Sequence, residues 1–340
     1  LFSMNITLGI NANEVRIQEN SNIQDKFSDI SARNIVLANS DTGKIVYERN
    51  KDEKIYPASI TQLMTAILVV ENCNLNDIVT VSENAVKSVP LGYVNANLQV
   101  GEQLTVEQLL YAMLIPSAND AANALAEHVG GSIESFSAMM NTRARELGCT
   151  GTNFTNPSGL HEENHYTTAN DLFYISKQAI SNNEIKKIVG TIKYTLPSSN
   201  KYNGTSRVLT STNYMKRKEL SKYYCEYCIG GKTGYTGEAK NCVVEFAQKG
   251  GINLIAVVMG EDSKVKGKKF LDAKEMFDYT YNNYENKIIA QAGNEYETLK
   301  ISNATKETKK LKVLYKDNVN IVELKSVENI KDNIKIKVNY

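Results

Sequence analysis

From Ala32 onward, apolar and polar positions alternate in two short runs, Ile35 and Leu37 and then Ile45 and Tyr47, on either side of Asp41-Thr42-Gly43. A period of two around a turn triplet predicts a β-hairpin. Beyond Pro57 the spacing becomes helical: Ile60, Leu63, Met64, Ile67 and Leu68 share one face, and Ser59 stands at the N-terminal end. A second helix is predicted from Val106 to Leu114, opened by Thr105 as N-cap and stopped by Pro116, which leaves Ser117 in a loop. Asp120 is placed to cap a third helix, Ala121 to Val129, ending at Gly130-Gly131; a fourth runs from Ser132 to Leu147 and closes at Gly148. The alternating runs Asn241 to Gln248 and Ile252 to Met259 flank Lys249-Gly250-Gly251 and read as a second hairpin. Gly230-Gly231-Lys232-Thr233-Gly234 lies just before it, on an expected strand edge. Phe270, Ala273, Phe277, Tyr281 and Tyr284 recur at helical intervals and predict a closing helix over Lys268 to Tyr284.

Strand pair, helices, strand pair and helix, in that order, imply an α+β domain whose mostly antiparallel sheet is covered by helices. Past about Asn286 the pattern breaks into short β-like pieces at 287–291, 297–302, 310–315, 319–324 and 333–338. A small all-β C-terminal domain is therefore expected over 286–340, after a main domain over 29–285. Leu1 to Glu14 is apolar and then small, with no charge before Glu14, and resembles the tail of a secretory signal cleaved near Ala12. An ordinary N-terminal strand is the other reading of that segment. The first places 1–28 as a signal remnant and lead-in and makes an exported protein the expectation. Nowhere else do the roughly 18 apolar residues of a bilayer span run together.

Composition narrows the function. A chain of 340 residues, 42% hydrophobic, is long enough for a well-buried core and for more than one domain. Its 39 basic and 38 acidic residues leave a formal charge of +1, so no global field attracts nucleic acid, which is not an expected partner. Five cysteines (Cys73, Cys149, Cys225, Cys228, Cys242) are too few and scattered for a disulfide scaffold, and their odd number leaves a free thiol. Cys225 and Cys228 form a C-E-Y-C spacing open to three readings: a local disulfide, half a metal site, or coincidence. Zinc would need two further closely spaced ligands, and Cys242 stands alone. No metal and no cofactor are expected.

Chemistry concentrates in three short elements: Ser59-Ile60-Thr61-Gln62, Ser117-Ala118-Asn119 and Lys232-Thr233-Gly234. A serine at a helix start sits where backbone N–H groups and the helix dipole favour an oxyanion, a sound place for a nucleophile. Standing alone it would read as an N-cap and no more. Order and spacing change that, because the three elements resemble the serine, S-x-N and K-T-G set of penicillin-binding proteins and serine β-lactamases. Tyr56-Pro57-Ala58-Ser59-Ile60-Thr61-Gln62-Leu63-Met64-Thr65-Ala66 is similar to the P-A-S-x-x-K-x-M-T-A stretch of low-molecular-mass D,D-carboxypeptidases. Pro116 to Ala122, Asn156-Pro157-Ser158-Gly159-Leu160 and His165 to Leu172 resemble their P-S-x-N-D-A-A, N-P-x-G-L and H-Y-T-T-A-x-D-L segments.

The resemblance implies a β-lactamase/DD-peptidase-like fold and a serine-type D-alanyl-D-alanine carboxypeptidase, with a peptidoglycan stem peptide as substrate and β-lactams as covalent inhibitors. Ser59 would attack the carbonyl between two D-alanines to form an acyl-enzyme. The oxyanion hole would comprise the N–H groups of Ser59 and Tyr235. Ser117 would relay a proton to the leaving nitrogen and Asn119 would hold the substrate amide. Lys232 would supply positive potential, and Thr233, beside Gly234, would bind the terminal carboxylate. Members of the family often dock on the membrane through a C-terminal amphipathic helix, so peripheral membrane association is implied through such a segment, whereas Lys335 to Tyr340 is strand-like. A β-lactamase is disfavoured by the H-Y-T-T-A type of segment and by the lack of an E-x-x-L-N element.

One position departs from the pattern. Three residues beyond the nucleophile the family has a lysine able to take the serine's proton; here stands Gln62, whose amide has no usable basicity near neutrality. Impaired turnover follows, by one of three accounts: an engineered inactivation, a pseudoenzyme that binds peptidoglycan without cleaving it, or rescue by another base such as Lys232.

Overall fold

The computed structural model describes residue 23 and residues 26–300, 310–314 and 319–324. The signal-like segment at the start and the β-like piece 333–338 lie outside them. Along the chain run β1 (Asn34–Asn39), β2 (Ile45–Arg49), α1 (Gln62–Asn72), β3 (Ile78–Thr80), α2 (Glu83–Lys87), β4 (Gln103–Thr105), α3 (Val106–Leu114), α4 (Asn119–Gly130), α5 (Ile133–Glu146), α6 (Ala169–Ser181) and α7 (Asn183–Val189). Then come β5 (Lys193–Leu196), β6 (Arg207–Thr210), β7 (Cys228–Thr236), β8 (Lys240–Lys249), β9 (Ile252–Glu261) and α8 (Lys268–Asn283). Four further strands follow: β10 (Tyr284–Ala290), β11 (Glu295–Lys300), β12 (Lys310–Leu314) and β13 (Val319–Leu324).

Five strands form one antiparallel sheet in the order β2-β1-β9-β8-β7, which makes β7 an edge strand. Every residue of β1 is buried. Val36 and Ala38 point from one face into a helix-rich core with Val244, Phe246, Val257 and Met259, while Ile35 and Leu37 are buried on the other. A strand apolar on both sides requires cover on both sides, which is the expected α+β architecture. The core's helical part is drawn from α1, α3, α4 and α6, whose Leu63, Ile67, Leu110, Ala121, Leu125 and Leu172 are fully buried.

Local chemistry sets the helix boundaries. Thr105 and Gln108 form a reciprocal capping box at the start of α3, and the Ser132 hydroxyl caps α5 by accepting the Ser135 N–H. Gly131 ends α4 in the left-handed region at φ 77°. The predicted cap by Asp120 is corrected: α4 begins at Asn119, and its N-cap residue Ala118 offers no side chain. The Asp120 carboxylate, within the first turn, accepts the helix N–H of Ala121 (2.9 Å) and also those of Ala96 (2.9 Å) and Leu98 (3.0 Å), so it pins the preceding loop to the start of α4. All five cysteines are free thiols, which removes the disulfide reading of Cys225 and Cys228.

The chain divides into two compact units. One comprises 26–249 and 253–278; the other, among described residues, comprises 250–252 and the segment from Tyr279 onward. In the latter, β10 pairs with β13 and β11 with β12, both antiparallel. No helix among the described residues is long and apolar enough to cross a membrane.

Candidate active site

Ser59 lies in a single 3-10 turn, Ala58–Thr61, that feeds directly into α1. The helix therefore starts in a tighter coil than the spacing predicts, with Ala58 held at φ 47°. Two glycines press against this turn. A Cβ on Gly234 of β7 would stand 3.1 Å from the Ser59 nitrogen, and one on Gly159, itself at φ 85°, would fall 1.9 Å from the Ala58 carbonyl oxygen. No side chain fits at Gly159, and one at Gly234 would press its neighbours back by a few tenths of an ångström, so the two glycines let the N-P-S-G-L loop and the K-T-G strand approach closely. Beneath the turn, the buried His165 ring accepts the Thr155 N–H at Nδ1 (3.1 Å), which leaves its proton on Nε2 to donate to the Thr61 hydroxyl (2.8 Å). Burial, then the neighbouring His161, lowers the His165 pKa to about 4, so the ring is neutral at pH 7. The Thr65 hydroxyl donates to the Pro157 carbonyl at 2.7 Å and ties the same loop to α1.

Ser117 sits between α3 and α4 at φ 74°, a left-handed conformation costly for serine. Its Oγ accepts the Lys232 ammonium at 2.8 Å and donates to Gln62 Oε1 at 3.3 Å. Gln62 Nε2 in turn faces the carbonyls of Ser117 (3.4 Å) and Ser158 (3.3 Å). Lys232 also donates to the Thr233 carbonyl at 2.8 Å. Burial first, and the Lys269 ammonium second, bring the Lys232 pKa down to about 7. A hydrogen-bond chain thus runs from a poised amine through a serine to an amide oxygen, where proton transfer stops because an amide is not a base.

Ser59, Ser117, Thr233, Gly234 and Tyr235 line one cleft of about 600 Å³. Gln62 and Lys232, fully or nearly fully buried, connect to it through Ser117 rather than lining it. Asn119 also stands behind the wall: its Nδ2 donates to the Val94 carbonyl at 2.9 Å, while its buried Oδ1 has no partner. Two residues that sequence reasoning missed share the site. Thr212 hydrogen-bonds the Thr233 hydroxyl, and Lys269 lines the cleft with its Nζ 3.5 Å from the Gly234 carbonyl. Lys269 reads in the sequence as one more polar residue between the apolar positions of α8, and only the turn of that helix reveals it.

Solved structures similar to this chain include DD-peptidases. The D-alanyl-D-alanine carboxypeptidase of Mycobacterium tuberculosis H37Rv superposes with a TM-score of 0.68 at 28% identity over 75% of this chain and 92% of its own. A variant of the Streptomyces K15 DD-transpeptidase gives 0.68 at 32% identity over 74% and 98%. In sequence, the D-alanyl-D-alanine carboxypeptidase DacF of Bacillus subtilis is 33% identical over 315 residues, 89% of this chain and 77% of that one. The D-alanyl-D-alanine carboxypeptidase profile, peptidase S11, matches residues 18–263. This chain belongs to that serine carboxypeptidase family.

Proposed function

We propose that the chain is an exported cell-wall protein whose cleft receives a peptidoglycan stem peptide ending in D-Ala-D-Ala, that Ser59 is its nucleophile, and that Gln62 makes turnover slow. The carrying observation is the chain Lys232–Ser117–Gln62, with its 2.8 and 3.3 Å contacts, beside the serine turn. In this reading Ser59 attacks the penultimate carbonyl and the N–H groups of Ser59 and Tyr235 receive the oxyanion. The leaving nitrogen takes its proton through Ser117. Thr233 and the ammonium groups of Lys232 and Lys269 favour a free terminal carboxylate. β7 is the sheet's edge, so its outer backbone groups are available to an extended peptide. Losing general-base help costs about 100- to 10,000-fold in rate.

A stem-peptide-binding protein without catalysis is the second reading. It is supported by the contacts of the Gln62 amide, whose Nε2 faces two carbonyls and whose Oε1 faces the Ser117 hydroxyl, so that the glutamine has partners on both sides. Intact mass after prolonged incubation with a penicillin distinguishes the two. Covalent addition of one penicillin, lost in Ser59→Ala, supports the enzyme; affinity for the stem peptide with no adduct at any time supports the binding protein and refutes the first reading.

A further inference from the structure

Two helices that begin at the cleft also end side by side. α1 starts with Gln62 and is closed by Cys73 as C-cap, while α4 starts with Asn119 and carries His128 in its last turn. At 1.5 Å per residue, the far ends lie roughly 15–18 Å from the first turns. There the Cys73 Sγ, a carboxylate oxygen of Asp77 and a ring nitrogen of His128 all fall within 4.8 Å of one another. The whole chain holds only 3 histidines and 5 cysteines, so one of each beside an acid is an unusual meeting.

Two of these donors are on anchored backbone. The Cys73 N–H donates to the Val69 carbonyl (3.0 Å), and the Asp77 N–H to that of Asn74 (3.0 Å). Asp77 Oδ2 is itself oriented by the Asn74 N–H at 2.8 Å, and the Asp77 carbonyl accepts the Val106 N–H at 3.0 Å. His128 is exposed and can turn by a rotamer to close the remaining gap. Thiolate, imidazole and carboxylate are a set that zinc takes as three protein ligands, with water in a fourth tetrahedral position.

We propose that Cys73, Asp77 and His128 form a zinc-type divalent cation site that ties together the C-terminal ends of α1 and α4. It is separate from the acyl-transfer site and independent of the function proposed for that site. Cys73 is a free thiol, so a metal ion that takes its sulfur as thiolate must displace the proton. Binding is then Cys–SH plus M²⁺ giving Cys–S–M⁺ plus H⁺, with one proton passed to buffer. The clamp joins the ends of the helices whose first turns hold Gln62 and Asn119, so occupancy stiffens the frame of the cleft from behind.

The test is a titration of the full, tag-free chain with Zn²⁺ against a chromophoric chelator, repeated with Co²⁺ under absorption spectroscopy. One equivalent should bind with a Kd below about 10 μM. Co²⁺ should give a near-ultraviolet thiolate band, and calorimetry in buffers of different ionisation heat should count about one proton. His128→Ala, at an exposed position that leaves the fold intact, should weaken binding at least about tenfold, and Cys73→Ser should abolish the sulfur band. A weaker Kd, a cobalt spectrum without sulfur, or affinity unchanged in His128→Ala would overturn the proposal.

Discussion

Gln62→Lys bears most directly on the chemistry. The residue is completely buried, and the carbonyls of Ser117 and Ser158 already stand 3.4 and 3.3 Å from its Nε2, so a lysine amine reaching the same place finds two acceptors. Lys232 approaches Ser117 Oγ at 2.8 Å, and burial has already lowered its pKa to about 7. Two buried amines around one hydroxyl cannot both stay charged without a large cost, so at neutral pH one of them holds a free lone pair. At position 62 that lone pair lies one turn from Ser59, able to take its proton. Restored general-base help is worth about 100- to 10,000-fold, or roughly 3 to 5.5 kcal/mol of barrier. The assay is the rate constant for acylation by a fluorescent penicillin, with release of D-alanine from a D-Ala-D-Ala peptide as second readout. A gain of at least about 100-fold is expected. A variant with unaltered circular dichroism and melting temperature that gains less than about tenfold would show that residue 62 does not limit the reaction.

Three further outcomes follow from the same geometry. If the Lys232 amine is the remaining base, acylation of the unaltered chain should rise with pH through about 7 as that amine loses its proton, and Lys232→Met should remove the rise; a flat profile argues against it. His165 has a folded pKa of about 4 against 6.5, so the unfolded chain binds its proton first; stability should fall as pH drops from about 6.5 to about 4, by roughly 3 kcal/mol. Denaturant titrations of His165→Gln should lack that increment, and an unchanged slope would refute the assignment. Gly159→Ala puts a methyl group against the Ala58 carbonyl at a φ that favours glycine, and should cost at least about 2 kcal/mol together with most penicillin labelling. A melting temperature within a degree or two of the parent's would contradict the packing described.

What could be read in advance follows from the range of the interactions involved. The α3 cap at Thr105, the hairpins and the three motif elements are local patterns, because a cap, a turn or a motif is written in consecutive residues. Gly230 to Gly234, expected on a strand edge, lie in β7 at one edge of the sheet. Asp120 is only half legible: its bond to the Ala121 N–H in the first turn is local, whereas the N–H groups of Ala96 and Leu98 that it also binds belong to a loop 22 to 24 residues earlier. Lys269 and Thr212 were illegible because what brings them to the cleft is the packing of other elements. The strands β3 to β6, of three or four residues each, are too short to show a period. Helix α6 was open to prediction, since Thr168 caps it and Leu172, Ile175 and Ala179 repeat along it. Spacing along the chain is blind to Cys73 meeting a histidine 55 residues away.

Ser117 in the cleft wall and Ala58, next to the cleft-lining Ser59, hold backbone conformations that free serine and alanine avoid, at a cost of order 1–2 kcal/mol each. Released from their surroundings, both segments relax to right-handed geometry, and Ser59 and Ser117 drift apart. The site should therefore loosen before the scaffold around it does. Mild heat or denaturant should extinguish penicillin capture while the sheet is still intact, so that drug labelling reports local order rather than the amount of folded protein.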